Sequence, residues 1–384
     1  MRGFDRTEFQ ARCKRAQDEM QKADLAALLL TTEPEVRYFT GFLTRFWESP
    51  TRPWYLVVPA SGAPIAVIPS IGQALMSSTW VEDIRCWTSP DLNDDGISLL
   101  AETLCEHTSR DALIGLPGGH ETHIRMPHAD LEKLKGMLEH RTLVGDNNIL
   151  RSLRMVKSQP EIAKIETACG IATRAFERVP EIAAAGISLE KIFRRFQMLC
   201  LDEGADWVPY LAGGAGPGGY ADVISPARPH PLTSGDVMML DTGLVFDGYF
   251  CDFDRNWSVG RPSSNVSAAH SRLVEAVTAG AEAARPGRTA SDVFHAINKV
   301  LNTQGESTDA GRLGHGLGMS LTEWPSLIAE DHTVLQEGMV LTLEPGIAVA
   351  NANGRVMVHE ENIVITSGAP RFLSQRSTEE ILQL

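Results

Sequence analysis

Residues 237–255 read Val237-Met238-Met239-Leu240-Asp241-Thr242-Gly243-Leu244-Val245-Phe246-Asp247-Gly248-Tyr249-Phe250-Cys251-Asp252-Phe253-Asp254-Arg255. Asp247-Gly248 lies between two β-prone runs, a strong signal for a two-residue hairpin because such turns need positive φ at their centre. A hairpin folded there opposes Asp241 to Asp254 and Gly243 to Asp252. Side chains alternate along a strand, so the three aspartates share one face of the sheet. Like charges opposed across strands destabilise a sheet unless a cation or a shared proton compensates. A metal site is the economical reading. A solvated face is the other, because Leu240, Thr242, Leu244 and Phe246 make the opposite face apolar in either case.

Three downstream segments bear on that choice. Arg312-Leu313-Gly314-His315-Gly316-Leu317-Gly318 sets one imidazole between glycines, where neighbouring backbone can approach closely. Val340-Leu341-Thr342-Leu343-Glu344-Pro345-Gly346 ends a strand on a carboxylate just before a turn. Val356-Met357-Val358-His359-Glu360-Glu361-Asn362-Ile363-Val364-Ile365 places an acidic pair inside an apolar strand pattern, and a charge there needs a partner.

The rest of the chain limits what such a cluster could serve. Its 384 residues leave room for one large domain or two ordinary ones, and 43% hydrophobic with 22% charged residues is a globular composition. A formal charge of −14 is a poor footprint for binding a phosphate backbone, so nucleic acid is an unexpected partner. The start, MRGFDRTEFQARCKR, has no apolar core of a leader, and no run has the length of a membrane span. A cytoplasmic location is expected. The six cysteines form no C-x-x-C pair, which fits buried thiols in a reducing compartment.

Helical spacing of Phe9, Cys13, Ala16 and Met20 precedes the strand-length run Ala26–Leu30. Trp54–Val58 and Ile65–Ile68, separated by turn residues, read as a hairpin; a helix near 96–108 and a strand at 112–116 follow. Residues 1–153 thus read as a small mixed α/β domain. Ser158-Gln159-Pro160-Glu161 has the form of a capping box with proline in the first turn, so a long helix opens a second domain, 154–384. Further helices are expected over 189–199, 265–284 and 290–303, the last ended by Gly305. The glycine-rich Gly213–Gly219 reads as a turn, since it lacks the ending of a phosphate loop. The second domain is expected to lay helices on an antiparallel sheet, and the chain as a whole is α+β.

With these residues in the order Asp, Asp, His, Glu, Glu, the sequence resembles the creatinase, aminopeptidase P and methionine aminopeptidase superfamily of pita-bread fold, on its Xaa-Pro peptidase branch. The resemblance covers nearly the whole chain, with a creatinase-type amino-terminal domain around Tyr38-Phe39-Thr40-Gly41-Phe42. The superfamily's ligand pattern falls on Asp241, Asp252, His315, Glu344 and Glu360. By resemblance Asp241 and Glu360 bridge two divalent ions, Asp252 chelates one, His315 and Glu344 complete the other's shell, and Glu344 carries the proton. Four carboxylates and a neutral imidazole carry a charge of −4, which two such ions would cancel, leaving a bridging hydroxide as the reactive anion. Mainly oxygen donors with one imidazole suit manganese, iron, cobalt or zinc alike.

The sequence also departs from the peptidase pattern. Where these peptidases have His-Glu-x-Pro, it has Thr322-Glu323-Trp324-Pro325, and where a further histidine is expected it has Asp222-Val223-Ile224-Ser225, with His230 nearby. Threonine cannot shuttle protons near neutrality as imidazole can. Asp254 stands where these peptidases usually have threonine. Two activities therefore stay open: hydrolysis of an amide-type C–N bond such as that of an Xaa-Pro dipeptide, or cleavage of a small zwitterionic metabolite resembling ectoine, creatine or dimethylsulfoniopropionate. A non-catalytic binding module is a third reading. Residues 44–54 lie where creatinase-like homodimers send side chains into the partner's active site, which makes Arg45, Trp47 and Arg52 candidate substrate contacts beside Asp222, Thr322 and Trp324.

Overall fold

A computed structural model of the chain describes residues 2–49, 52–302 and 311–384. Gly305, the expected helix end, and Pro50 and Thr51 of the 44–54 segment lie outside the described residues. The chain divides into two compact units, Met1–Arg154 and Met155–Leu384.

The first unit is built on a six-stranded mixed sheet of β1 (Leu25–Leu30), β2 (Tyr55–Pro59), β3 (Ile65–Pro69), β4 (Asp83–Trp87), β5 (Leu113–Leu116) and β6 (Thr142–Gly145), in the spatial order β4-β3-β2-β1-β5-β6. β2 and β3 form the expected antiparallel hairpin. The continuous apolar run of β1 suits a central strand covered on both faces, and β1, β2 and β3 are almost wholly buried. The helix Ile97–His107 lays Ile97, Leu100, Ala101 and Leu104 on this sheet, the spacing of one helical face.

The second unit opens with the helix Gln159–Glu177, whose capping box closes as its sequence predicts: the Ser158 backbone N–H donates to Glu161 Oε2 at 2.9 Å. The same first turn fixes the aspartate hairpin. Tyr249 donates its hydroxyl proton to Glu161 Oε1 at 2.9 Å, and Lys164, one turn on, makes a buried ion pair with Asp247 at the hairpin tip.

Two five-stranded sheets follow, formed by β7 (Trp207–Pro217), β8 (Asp236–Phe246), β9 (Tyr249–Phe250), β10 (Phe253–Ser258), β11 (His315–Gly316), β12 (Glu323–Ser326), β13 (Val340–Leu343), β16 (Glu361–Val364), β17 (Arg371–Phe372) and β18 (Leu382–Gln383). β14 (Gly346–Ala348) and β15 (Val356–Val358) make a separate pair. One sheet runs β18-β10-β8-β7, with β9 on β8; the other runs β12-β11-β13-β16-β17. Pairing is antiparallel except for β18 on β10. The helices Ser264–Ala283 and Ala290–Leu301 pack Leu273, Val277, Val293 and Ile297 into one core with Met239, Leu341 and Ile363 from the strands.

The glycine-rich segment differs from its reading as a turn. Gly213 to Gly216 continue β7, paired with Leu240 down to Val237, and the turn begins only after Pro217. Their glycine character serves close packing: a Cβ on Gly214 would come within 2.7 Å of Tyr220 Cβ.

Candidate metal centre

The hairpin turns at Asp247 and Gly248, with φ of 48° and 82°, and its register opposes Asp241 to Asp254 as the turn requires. The same count runs on through Phe246–Tyr249 and Val245–Phe250, and the Cys251 N–H donates to the Leu244 carbonyl at 3.1 Å. Asp252 opposite Gly243 is then a pair whose backbone groups point away from each other. Its N–H donates outward to Asn362 Oδ1 at 3.0 Å, and Asn362 Nδ2 donates to its carbonyl. Glu360 sits in the break between β15 and β16, where its N–H donates to Asp254 Oδ1 at 3.2 Å.

His315 is set by the glycines on either side. A Cβ on Gly314 would lie 2.3 Å from the Thr342 carbonyl oxygen, and one on Gly316 2.3 Å from that of Trp324, so only glycine lets those strands close around the imidazole. Nδ1 lies 2.8 Å from the Gly316 carbonyl oxygen, to which it donates in the tautomer that carries the lone pair on Nε2. Nε2 lies 3.5 Å from Asp252 Oδ2.

The structure brings Asp252, His315 and Glu360 together, all buried, with ligand atoms within 4.8 Å of one another. Asp241 and Glu344 act on the same group: Asp241 is buried beside Asp252, and Glu344, at the end of β13, is partly exposed and feels the His315 charge. In this cluster four buried carboxylate oxygens have no hydrogen-bond partner: Asp241 Oδ1, Asp252 Oδ1, Asp254 Oδ2 and Glu360 Oε1. Buried polar atoms are seldom left orphaned, and burying a charge without a partner costs several kcal/mol. A cluster of carboxylate oxygens with one imidazole nitrogen fits divalent cations of the manganese, iron, cobalt or zinc class.

The electrostatics agree. Burial first, then the neighbouring carboxylates, push Asp241, Asp252 and Glu360 well above the ordinary carboxylate range. Burial also raises Glu344, although the charges of His315 and Arg312 oppose it.

Asp254 belongs to two networks. One oxygen is among the orphans; the other is 3.2 Å from His359 Nδ1. His359 Nε2 reaches Glu361 Oε1 at 3.4 Å, and Glu361 pairs with Arg255 at 3.1 Å and accepts the Ser374 hydroxyl. Burial opposes the ionisation of Glu361, yet Arg255, His359 and Ser374 hold it at about 2. The acidic pair of the β16 entry is thus split by function, Glu360 facing the cluster and Glu361 neutralising a buried arginine.

Two participants escaped the sequence reading. Tyr210 donates its hydroxyl to Asp241 Oδ2 at 3.0 Å, which leaves Oδ1 as the open oxygen. Nothing local in the sequence marks it, because the contact depends on the β7–β8 pairing. Asn362 is fully buried and did carry a signal, being a polar residue in an apolar strand run.

The remaining candidates do other work within their own units. In the first unit, Arg45 pairs with Glu48 at 2.7 Å, and Trp47 is buried with its ring 6.0 Å from Trp54. Arg125 lies over Trp47 and donates to the carbonyls of Trp47, Ser49 and Arg52. In the second unit, Asp222 accepts the N–H groups of Ile224 and Ser225, bonds that lower its pKa. It borders a cavity of about 220 Å³ with Arg228, His230 and Arg355. Thr322 is partly exposed, its neighbour Glu323 pairs with buried Lys157 at 3.1 Å, and Trp324 donates its indole N–H to Thr333 at 2.8 Å.

The model of metallopeptidase family M24 matches residues 163–367, and that of the creatinase/prolidase N-terminal domain matches 12–156. The chain belongs to metallopeptidase family M24. A Mycobacterium tuberculosis protein described as a probable dipeptidase PepE is 30% identical over 97% of this chain and 98% of its own length. The Xaa-Pro dipeptidase of Pyrococcus horikoshii is 29% identical over 67% of this chain and 73% of its own. The crystal structure of dipeptidase PepE from Mycobacterium ulcerans superposes with a TM-score of 0.84 at 29% identity, covering 99% of both chains. As a member of family M24, the chain is a metal-dependent hydrolase whose cofactor is a divalent metal. No described helix is long and apolar enough to cross a membrane.

Tyr210→Phe tests the outer support of this M24 site. Loss of a hydrogen bond to a ligand carboxylate is expected to weaken divalent-metal affinity about 10-fold with little change in fold. Titration of the metal-stripped variant with manganese, beside its circular dichroism spectrum, checks both.

Proposed function

We propose that the chain is a two-metal dipeptidase cleaving the amide bond before proline in Xaa-Pro dipeptides, and that it works as a homodimer. The observation that carries the reading is the set of four unpartnered buried carboxylate oxygens, on Asp241, Asp252, Asp254 and Glu360, in the cluster that joins Asp252 and Glu360 to His315. Asp241, Asp252, His315, Glu344 and Glu360 would hold the metals, which supply Lewis-acid polarisation of a carbonyl and activation of water at neutral pH.

The protein's own groups do the rest. Asp241 is oriented by Tyr210, His315 by the Gly316 carbonyl, and Asp252 by Asn362. Glu344 is the carboxylate of this set that is partly exposed, so it can take a proton from water and give it to the departing nitrogen. Water adds to the carbonyl carbon, the C–N bond breaks, and the proton passes through Glu344 to the amine. Thr322 offers no imidazole for this transfer, so Glu344 carries the whole proton burden. In the dimer, Arg45, Trp47 and Arg52 of one protomer would meet substrate bound by the other. Asp222, Thr322 and Trp324 would add substrate contacts, Asp222 from the wall of the cavity it shares with Arg228, His230 and Arg355.

The names of the relatives favour this reading over cleavage of a zwitterionic metabolite. A manganese-reconstituted panel of Xaa-Pro dipeptides, ectoine-like amides and dimethylsulfoniopropionate tests it. Release of proline is the expected result; turnover of a zwitterionic metabolite alone would reject the peptidase assignment.

A further inference from the structure

Asp252 lies between β9 and β10, opposite Gly243 in a pair whose backbone groups point away from each other, so its own N–H and carbonyl face outward from the hairpin. Its backbone is held by a side chain. Asn362 Oδ1 accepts the Asp252 N–H at 3.0 Å and Nδ2 donates to the Asp252 carbonyl, so one carboxamide supplies both bonds that a neighbouring strand would give. The carboxamide is itself fixed. The Cys169 thiol, from the helix Gln159–Glu177, donates to the same Oδ1 at 3.3 Å, which settles which end of the amide faces which group. The Asn362 backbone N–H donates to Ser374 Oγ at 3.0 Å, and both Asn362 and Cys169 are fully buried. With its backbone pinned, Asp252 keeps Oδ2 beside His315 Nε2 and Oδ1 unpartnered.

We infer that Asn362 is a positioning residue of the metal centre: by standing in for a β-strand it fixes the Asp252 carboxylate opposite His315, and so sets metal affinity without touching metal or substrate. It also joins Asp252 to the strand that follows Glu360, so the two carboxylates cannot drift apart independently. Asn362 lies outside the five residues that would hold the ions. The inference rests on Asp252 being a metal-holding carboxylate.

The test is a double-mutant cycle read as Mn²⁺ affinity of the metal-stripped full chain. Asn362→Leu, a near-isostere without polar atoms, and Asp252→Asn are measured singly and together. Asn362→Leu is expected to weaken Mn²⁺ binding about 10- to 100-fold, the usual cost of removing a group that orients a ligand. The double variant is expected to bind no more weakly than Asp252→Asn alone, because Asn362 acts only through Asp252. A purely structural asparagine would lower the melting temperature while leaving Mn²⁺ affinity of the folded chain unchanged, or its effect would multiply with that of Asp252→Asn; either result overturns the inference. Should Asn362→Leu fail to fold, Asn362→Ser removes both contacts with less bulk, and wild-type affinity in that variant overturns it equally. If Asp252→Asn itself binds Mn²⁺ like wild type, the underlying assignment of Asp252 fails, which is distinguishable from failure of Asn362 alone.

Discussion

Glu360→Ala is expected to abolish hydrolysis while making the metal-free protein more stable. Glu360 is buried, its Oε1 lacks a partner, and its pKa is raised by burial and then by Asp252, Glu344, Asp241 and Asp254. Such a group opposes folding unless a cation is present, so its removal relieves repulsion in the stripped chain. With metal, the same removal takes away a ligand. Metal assistance is worth several kcal/mol of transition-state stabilisation, on the order of 1,000-fold in rate at about 1.4 kcal/mol per decade. Activity should fall by at least that factor, and the metal retained after dialysis should fall with it. Calorimetry of the stripped protein should show a higher melting temperature. A variant that lost activity but kept wild-type metal content would remove Glu360 from the ligand set.

Chelation is expected to lower stability, and by more as pH rises. Asp241, Asp252 and Glu360 bind protons more tightly in the folded chain than in the unfolded one, because burial and mutual repulsion raise their pKa values above the ordinary 3.8 and 4.5. Their favourable contribution is therefore complete below those ordinary values and is lost as pH climbs through the raised folded values. A divalent ion at 100 times its dissociation constant adds about 2.7 kcal/mol. For a domain of this size that is roughly 5–10 °C of melting temperature. The gap between metal-loaded and stripped protein should widen from pH 5 to pH 8. A gap that narrowed over that range would mean the cluster is not a set of repelling carboxylates.

The sequence revealed most where a local rule had one outcome. Asp247-Gly248 admits essentially one tight turn, and that turn dictates the Asp241–Asp254 register found between β8 and β10. Ser158 and Glu161 gave the helix start for the same reason, since a capping box satisfies orphan N–H groups at one place only. What stayed hidden was long-range. That Asp252 faces Gly243 follows by counting along the ladder, but what its outward backbone meets does not: the partner is the carboxamide of Asn362, 110 residues away. Tyr210 reaches Asp241 only because β7 pairs with β8, and the loop between them erases that register from the sequence. The glycine-rich run looked like a turn because glycine usually marks one; here it lets Tyr220 lie against strand backbone. The glycines around His315 were read by their physical need, close backbone approach, and that need is met at Gly314 and Gly316.

The most direct measurement is the metal content of the purified wild-type chain after manganese reconstitution and removal of excess ion, read beside its Xaa-Pro hydrolysis before and after chelation. The account predicts close to two divalent ions per chain, loss of turnover when they are stripped, and recovery when they return. A chain that holds no ion at these concentrations, or that hydrolyses equally well without it, would contradict it.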